Sequence, residues 1–393
     1  MNITFLLRLW PVYGGGETVT ICLANEMIKR GWNVSVLYFK NNTRPDLPFI
    51  DPAVKAVQIP DIRCDEFTTR FPDADKVTSY LKEYIQENDI HYLVNQWWPV
   101  EYIRGIRGRY KTKIVTCLHQ ALYTPMIEGT GINGFLKKRC TSLYKFWKKR
   151  HSCRQVTRFL PHTDKYIFLS PAFQHQYEQF ANHKNTNRQL GAIPNPLVYP
   201  NEIRPEDLQS KEKTVLLVGR MVEIQKRITR AIKIWSAIEN DPRLDEWNFR
   251  IVGEGPDLAM YKQLAQTLGL KRISFEGFRN PQPYYKQAAI FMMTSAFEGF
   301  PMTLVEAQQC GVVPVVMDSY LSLHDIVETG YSGIIVSNED LTGYVNKIKE
   351  LMTDTSLREK LAMNGLHSCR RFCVEEIVNN WEELFNDLSA NRR

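Results

Sequence analysis

The residues best suited to chemistry lie in one run, Ser295-Ala296-Phe297-Glu298-Gly299-Phe300-Pro301-Met302-Thr303-Leu304-Val305-Glu306. Two glutamates stand eight positions apart across a Gly/Pro turn that opens a helix. The first N–H groups of a helix have no partner within it, so those near Met302, Thr303 and Leu304 suit a phosphate. The carboxylates on either side are acceptors and suit sugar hydroxyls. Glu306 has a second explanation, because Thr303-x-x-Glu306 reads as a capping box. Glu298 has no such explanation; a carboxylate that follows an apolar strand needs a partner. Upstream, Gly219-Arg220 closes a strand and Lys226 follows. The fork of an arginine and the point charge of a lysine together suit a diphosphate. Strand ends are also where α/β sheets bind ligands. The alternative for this pair is two solvated surface charges. A third loop, Gly14-Gly15-Gly16-Glu17, joins the first strand to its helix. Its glycines permit close approach of a ligand to the backbone, and equally permit a tight turn.

These loops are positioned by a regular alternation. Ile3–Leu7, Val34–Phe39, Tyr92–Val94, Ile114–Leu118 and Tyr166–Leu169 read as buried strands, with helices at Thr18–Lys29, Lys76–Gln86 and Ala172–Phe180. Such βαβ alternation builds a parallel sheet. Pro194, Pro196, Pro200 and Pro205 then break the pattern, since proline donates no hydrogen bond and fixes φ. The alternation restarts with strands Val215–Val218, Phe249–Val252, Ile273–Phe275, Ile290–Met293 and Val313–Val316, and helices Arg230–Ile238, Leu258–Leu268 and Leu304–Gln309. The expected architecture is α/β: two Rossmann-like parallel-sheet domains, 1–193 and 207–374, facing across a cleft and joined by a linker at 194–206. Ile377, Trp381, Leu384, Phe385 and Leu388 form one apolar stripe, so 375–393 is a helix expected to pack back on the first domain.

Composition narrows the class. The 393 residues are 44% hydrophobic and 24% charged, an ordinary globular balance that excludes collagen, a coiled-coil rod and a disordered chain. No apolar stretch approaches the ~20 residues of a spanning helix, and Asn2–Val12 reads as a strand rather than a signal peptide. The eight cysteines show no metal-ligand spacing and fit a reducing, cytoplasmic compartment. Residues 1–193 hold 27 Lys/Arg against 16 Asp/Glu, and the remainder 23 against 27. The first half therefore expects an anionic partner.

In this order, these motifs resemble those of the retaining GT-B glycosyltransferases of family 4, which share the glycosyl transferases group 1 domain. The resemblance rests on Gly14–Gly16, on Gly219-Arg220 with Lys226, on Gly253-Glu254-Gly255-Pro256, and on Glu298-x7-Glu306 followed by Cys310-Gly311-Val312-Val313-Pro314. Phe275-Glu276-Gly277-Phe278 and Ile193-Pro194-Asn195 also match. It covers most of 190–375, and the first domain in outline. It implies that Arg220 and Lys226 neutralise a nucleotide diphosphate, with Gly15, Gly16, Gly219 and Gly253 beside it. Arg220 to Lys226 is one residue longer than in many relatives, so Arg227 is a possible substitute for Lys226. Glu306 would bind the ribose and Glu298 the donor sugar. The turn after Phe278, around Arg279, would meet the base. His119 matches the family histidine near the donor sugar, and Gly299, Phe300, Pro301, Met302, Thr303 and Leu304 would line the donor. The implied function is metal-independent, cofactor-free transfer of a sugar from a UDP- or GDP-sugar to a glycan or lipid-linked acceptor, in synthesis of cell-surface polysaccharide or lipopolysaccharide. With no protein nucleophile evident, retention is expected by front-face displacement, the leaving phosphate acting as base.

Other features are weighed beside it. Asp73-Ala74-Asp75 resembles a metal-binding DxD but precedes a helix, which favours a cap. Residues 134–160 carry nine Lys/Arg and no Asp/Glu, with Leu136, Cys140, Leu143 and Trp147 at helical spacing. That suits a helix lying on the anionic inner face of a membrane, or gripping a phosphate-bearing lipid acceptor, and equally a helix docked on its own core. Trp97 and Trp98 suit either acceptor sugar rings or core. The rival readings are a nucleotide-sugar epimerase of similar fold and a nucleic-acid-binding protein. The basic run lacks aromatic interleaving, so no nucleic-acid partner is expected.

Overall fold

The apolar runs form two separate parallel sheets in the computed structural model, which describes residues 1–11, 15–41, 49–60, 62, 73–96, 98–123, 141–184, 188–199 and 203–390. The chain divides into two units, Met1–Val198 with Val374–Arg393, and Tyr199–Cys373. The first sheet contains β1 (Asn2–Leu6), β2 (Asn33–Tyr38), β3 (Lys55–Gln58), β4 (Tyr92–Asn95), β5 (Lys113–Leu118), β6 (Lys165–Phe168) and β7 (Leu190–Ala192). Their order is β3-β2-β1-β4-β5-β6-β7. The second contains β8 (Glu212–Val218), β9 (Asn248–Val252), β10 (Ile273–Gly277), β11 (Ala288–Met293), β12 (Val313–Asp318) and β13 (Ile334–Ser337), in the order β10-β9-β8-β11-β12-β13. Both are Rossmann-like, as the alternation implies.

Each order reverses once, between β1 and β4 and between β8 and β11. The loops that leave adjacent strands there go to opposite faces, which opens a crevice at the carboxyl ends. All six residues of β11 are buried, because helices cover both faces of the sheet. Trp235, Phe249 and Tyr285 fill the layers beside it, with Phe291 of β11 itself.

The helix Val374–Ala390 completes the first unit's core. Ile377, Val378, Trp381, Leu384 and Phe385 are buried among Trp32, Val34 and Tyr92. The Phe385 ring stacks on Tyr92 with centroids 4.2 Å apart. The Tyr92 hydroxyl donates to the Phe385 carbonyl at 2.8 Å. Arg30 clasps the outside of the same helix through Asn379 at 2.8 Å, Glu382 at 3.1 Å and the Glu375 carbonyl at 2.8 Å.

One sequence expectation changes here, and one open choice closes. Gly15 and Gly16 are not a loop; they form the first turn of the helix Gly15–Lys29, and the Gly16 carbonyl accepts the Thr20 hydroxyl at 2.9 Å. Gly14 and Trp97 lie outside the described residues. Trp98 is core rather than a sugar platform: it is buried, stacks on Phe39 at 4.7 Å and donates its indole N–H to the Leu7 carbonyl at 2.7 Å. Asp73 takes the N-cap position of the helix Ala74–Glu87 and Asp75 falls in its first turn.

Candidate active site

The second unit gathers its polar residues at the β8/β11 reversal. The ends of three strands are laced through backbone: Gly219 N–H to the Val252 carbonyl at 3.0 Å, Gly253 N–H to the Gly277 carbonyl at 2.8 Å, and Met221 N–H to the Glu254 carbonyl at 2.7 Å. The approach is so close that a Cβ on Gly253 would meet the Gly219 carbonyl oxygen at 2.0 Å. Gly253 also has φ +139°, which side chains avoid. This lacing sets the path of Arg220. Its side chain is exposed, and among the described residues no hydrogen bond or ion pair holds the guanidinium.

One helical turn, Glu223–Lys226, follows. It is sewn to the end of β11. The Thr294 hydroxyl donates to the Lys226 carbonyl at 3.2 Å and to the Arg227 carbonyl at 3.1 Å, and the Ala296 N–H donates to the Gln225 carbonyl at 2.7 Å. The Lys226 ammonium therefore reaches Glu298 at 2.6 Å, and the Gln225 amide donates to the other carboxylate oxygen at 3.2 Å. Lys226 is 16% exposed and Glu298 8%, so the pair is mostly out of water. Arg227 takes no part: its backbone is left-handed, with φ +48°, and its guanidinium pairs with Glu339 at 3.2 Å. The partner that Glu298 requires is Lys226.

Glu306 is not a capping residue. The helix Met302–Gln309 has Pro301 at its N-cap and no side-chain cap hydrogen bond. The Glu306 carboxyl is buried, and desolvation lifts its pKa to about 7, offset in part by the Tyr285 hydroxyl. Tyr285 also donates to the Thr303 carbonyl at 3.2 Å. Leu304 and Phe300 face the core, Phe300 lying edge-on to Phe372 at 5.4 Å. They have no side chain free for a donor, and only backbone at those positions can serve one. Gly299, Met302 and Thr303 are half-buried, and Phe278 and Arg279 stand exposed past β10.

A buried carboxyl with a raised pKa has a sign. The folded state holds the Glu306 proton up to about pH 7, the unfolded state only to about 4.5. The folded state therefore binds more protons between those values, and stability falls as pH rises through that window. Glu306→Gln is expected to flatten that slope and to raise stability at pH 8 by roughly 2–3 kcal/mol. Denaturant unfolding of both proteins at pH 5 and pH 8 checks this; an equal effect at both pH values would refute it.

In the first unit, His119 sits past β5 in a pocket of about 270 Å³ with Gln96, Glu101, Thr116, Gln155 and Arg158. Desolvation lowers its pKa to about 4, so it is neutral at pH 7. Its Nε2 meets the Gln96 amide oxygen, and the buried Gln96 Nε2 has no partner among the described residues. Gln96, Gln225 and Tyr285 were not anticipated. Their one advance signal is position, Gln96 just after β4 at the β1/β4 reversal, Gln225 next to Lys226, and Tyr285 in the short helix that leads into β11.

Sequence and fold comparisons identify the family. The Glyco_transf_4 model, Glycosyltransferase Family 4, matches residues 13–196, and the Glycosyl transferases group 1 model matches residues 199–367. The chain is a family 4 GT-B glycosyltransferase. The match to a Campylobacter jejuni enzyme, GalNAc-alpha-(1->4)-GalNAc-alpha-(1->3)-diNAcBac-PP-undecaprenol alpha-1,4-N-acetyl-D-galactosaminyltransferase, is 22% identical and covers 99% of both chains. A Streptomyces coelicolor exopolysaccharide phosphotransferase is 28% identical over 52% of this chain, which spans 21% of that relative's length. Among solved structures, Anabaena HepE in complex with UDP shares the fold with a TM-score of 0.70 at 17% identity, covering 98% of this chain and 100% of that one. The family match favours the glycosyltransferase reading over the epimerase and nucleic-acid readings. Among the described residues no helix is long and apolar enough to cross a membrane, and no three His, Cys, Asp or Glu side chains meet as a metal site.

Proposed function

We propose that this glycosyltransferase moves a sugar from a UDP- or GDP-sugar to a saccharide acceptor carried on a lipid, with retention and without a metal. The observation that carries the reading is the Lys226–Glu298 pair at the β8/β11 reversal, with the unpaired Arg220 beside it. Breaking a sugar–diphosphate bond builds negative charge on the leaving phosphate. The ammonium that Glu298 fixes out of water and the exposed guanidinium of Arg220 stabilise that charge, in the role a divalent metal fills elsewhere. Glu298 accepts a donor-sugar hydroxyl, and Glu306, once ionised, accepts the ribose hydroxyls. His119 is neutral and offers a sugar a hydrogen-bonding group rather than a cation. The leaving phosphate takes the proton of the attacking acceptor hydroxyl on the same face, which preserves the anomeric configuration. HepE was solved with UDP, which supports a nucleoside-diphosphate donor, and the Campylobacter relative's name supports a PP-polyprenol-linked saccharide as acceptor. Calorimetry with UDP, GDP and ADP in EDTA is the test. Tight binding of one nucleotide, lost in Arg220→Ala, is expected. Binding that appears only with added divalent metal would overturn the metal-independent reading, and inverted product stereochemistry by NMR would overturn retention.

A further inference from the structure

The helix Thr141–Phe159 carries six Lys/Arg and no Asp/Glu. Its core side is Cys153 and Val156, continued by Leu160, so of the two placements open for Leu143 and Trp147 the core-docked one does not hold. Leu143, Phe146 and Trp147 are instead 57%, 56% and 55% exposed. Residues 134–140 of the basic run lie outside the described residues. Between this helix and the helix Pro171–Ala181 lies a hollow of about 470 Å³, lined by Phe146, Lys149, Arg150, Arg154, Thr157 and Phe180 among others. The Lys149 ammonium is held over the Phe180 ring at 4.5 Å from its centre and 5.8 Å from that of Tyr123. Among the described residues no carboxylate pairs with Lys149, Arg150 or Arg154. Three cations around one hollow repel one another until an anion enters. Two guanidinium forks and an ammonium suit a group with two negative charges and several oxygens. The exposed apolar trio occupies the next turns of the same helix, so the occupant has hydrocarbon joined to its anion.

We propose that this hollow holds the diphosphate of the lipid-linked acceptor, with Leu143, Phe146 and Trp147 against the start of its hydrocarbon chain. The inference rests on the lipid-linked acceptor proposed above and assigns the residues that select it. The test is flotation of the full-length protein with neutral phosphatidylcholine vesicles. One set carries undecaprenyl diphosphate, the other phosphatidylglycerol of equal total charge. Tighter binding to the diphosphate set is expected, with inorganic diphosphate as competitor. Arg150→Glu/Arg154→Glu, which leaves Lys149 on Phe180, and the triple variant with Lys149→Glu are expected to lose it, the triple by about a hundredfold. Trp147→Ser is expected to weaken vesicle binding and leave binding of inorganic diphosphate unchanged. Equal binding to both vesicle sets would overturn the proposal in favour of a contact with membrane charge alone. Diphosphate binding that survives in the double and triple variants, with unchanged thermal unfolding, would overturn it too. UDP and GDP binding, measured on the same proteins, reports on the donor site separately, so failure there is not failure here.

Discussion

Lys226→Met is expected to stop sugar transfer and to lower the stability of the second unit by about 3–5 kcal/mol. The two effects have one source. Glu298 is 8% exposed, and its carboxylate has the Lys226 ammonium at 2.6 Å. Without that cation a buried negative charge remains against the Gln225 amide at 3.2 Å, too little to replace its lost hydration. Adding Glu298→Gln removes the charge, so the double variant is expected to regain most of the stability. It is not expected to regain transfer, because no ammonium then faces the leaving phosphate; the rate loss should be about 10²–10³-fold. Denaturant unfolding and a transfer assay on the four proteins of the cycle separate the two roles. If the single variant is as stable as the parent, the pair is not the closed buried contact described. If the double variant transfers sugar normally, Lys226 has no part in catalysis.

The second large effect concerns the far end of the chain. Deleting Val374–Arg393 is expected to unfold the first unit. Phe385→Ala alone should cost about 3–5 kcal/mol, the usual range for a buried aromatic, because its ring is fully buried and stacked on Tyr92. The deletion also removes Ile377, Val378, Trp381 and Leu384 and so bares Trp32, Val34 and Tyr92, on which they pack. That sum reaches the 5–15 kcal/mol that holds a whole domain together. Hydrogen exchange is the measurement: amides of β1 and β2 should lose protection, while those of β8 and β11 keep it. Retained protection in β1 would show that the helix is a dispensable cover.

Much of this was legible because buried parallel strands read as unbroken apolar runs. β2, β5 and β11 were found this way to within two residues at each end. Of the edge strands β10 was found too, but both edges of the first sheet were not. Lys55–Gln58 is mostly exposed, Leu190–Ala192 is three residues long with a glycine in it, and neither shows an apolar run. The stripe of Val374–Ala390 announced a covered helix, but an apolar face does not say which sheet it covers. In the site, Glu298 was singled out because an unpaired buried carboxylate is costly, and its partner followed from the fold. Glu306 was ambiguous because Thr-x-x-Glu fits a cap and a ligand equally, until Pro301 proved to be the N-cap. The Leu143 and Trp147 spacing left an outward and an inward face equally open, since periodicity shows that side chains share a face and not which way it points; both are exposed.

The return of Val374–Ala390 to the first sheet also sets a timetable for synthesis. A ribosome adds about 5–20 residues each second, so the part of the first unit that ends at Val198 waits roughly 10–35 s, while the whole of Tyr199–Cys373 is made, before the helix that covers β1 and β2 exists. The unit begun first is finished last. During that interval Trp32 and Tyr92 present an open apolar face, a target for chaperones and a hazard for aggregation, whereas the second unit has every residue of its own core as soon as Cys373 is added.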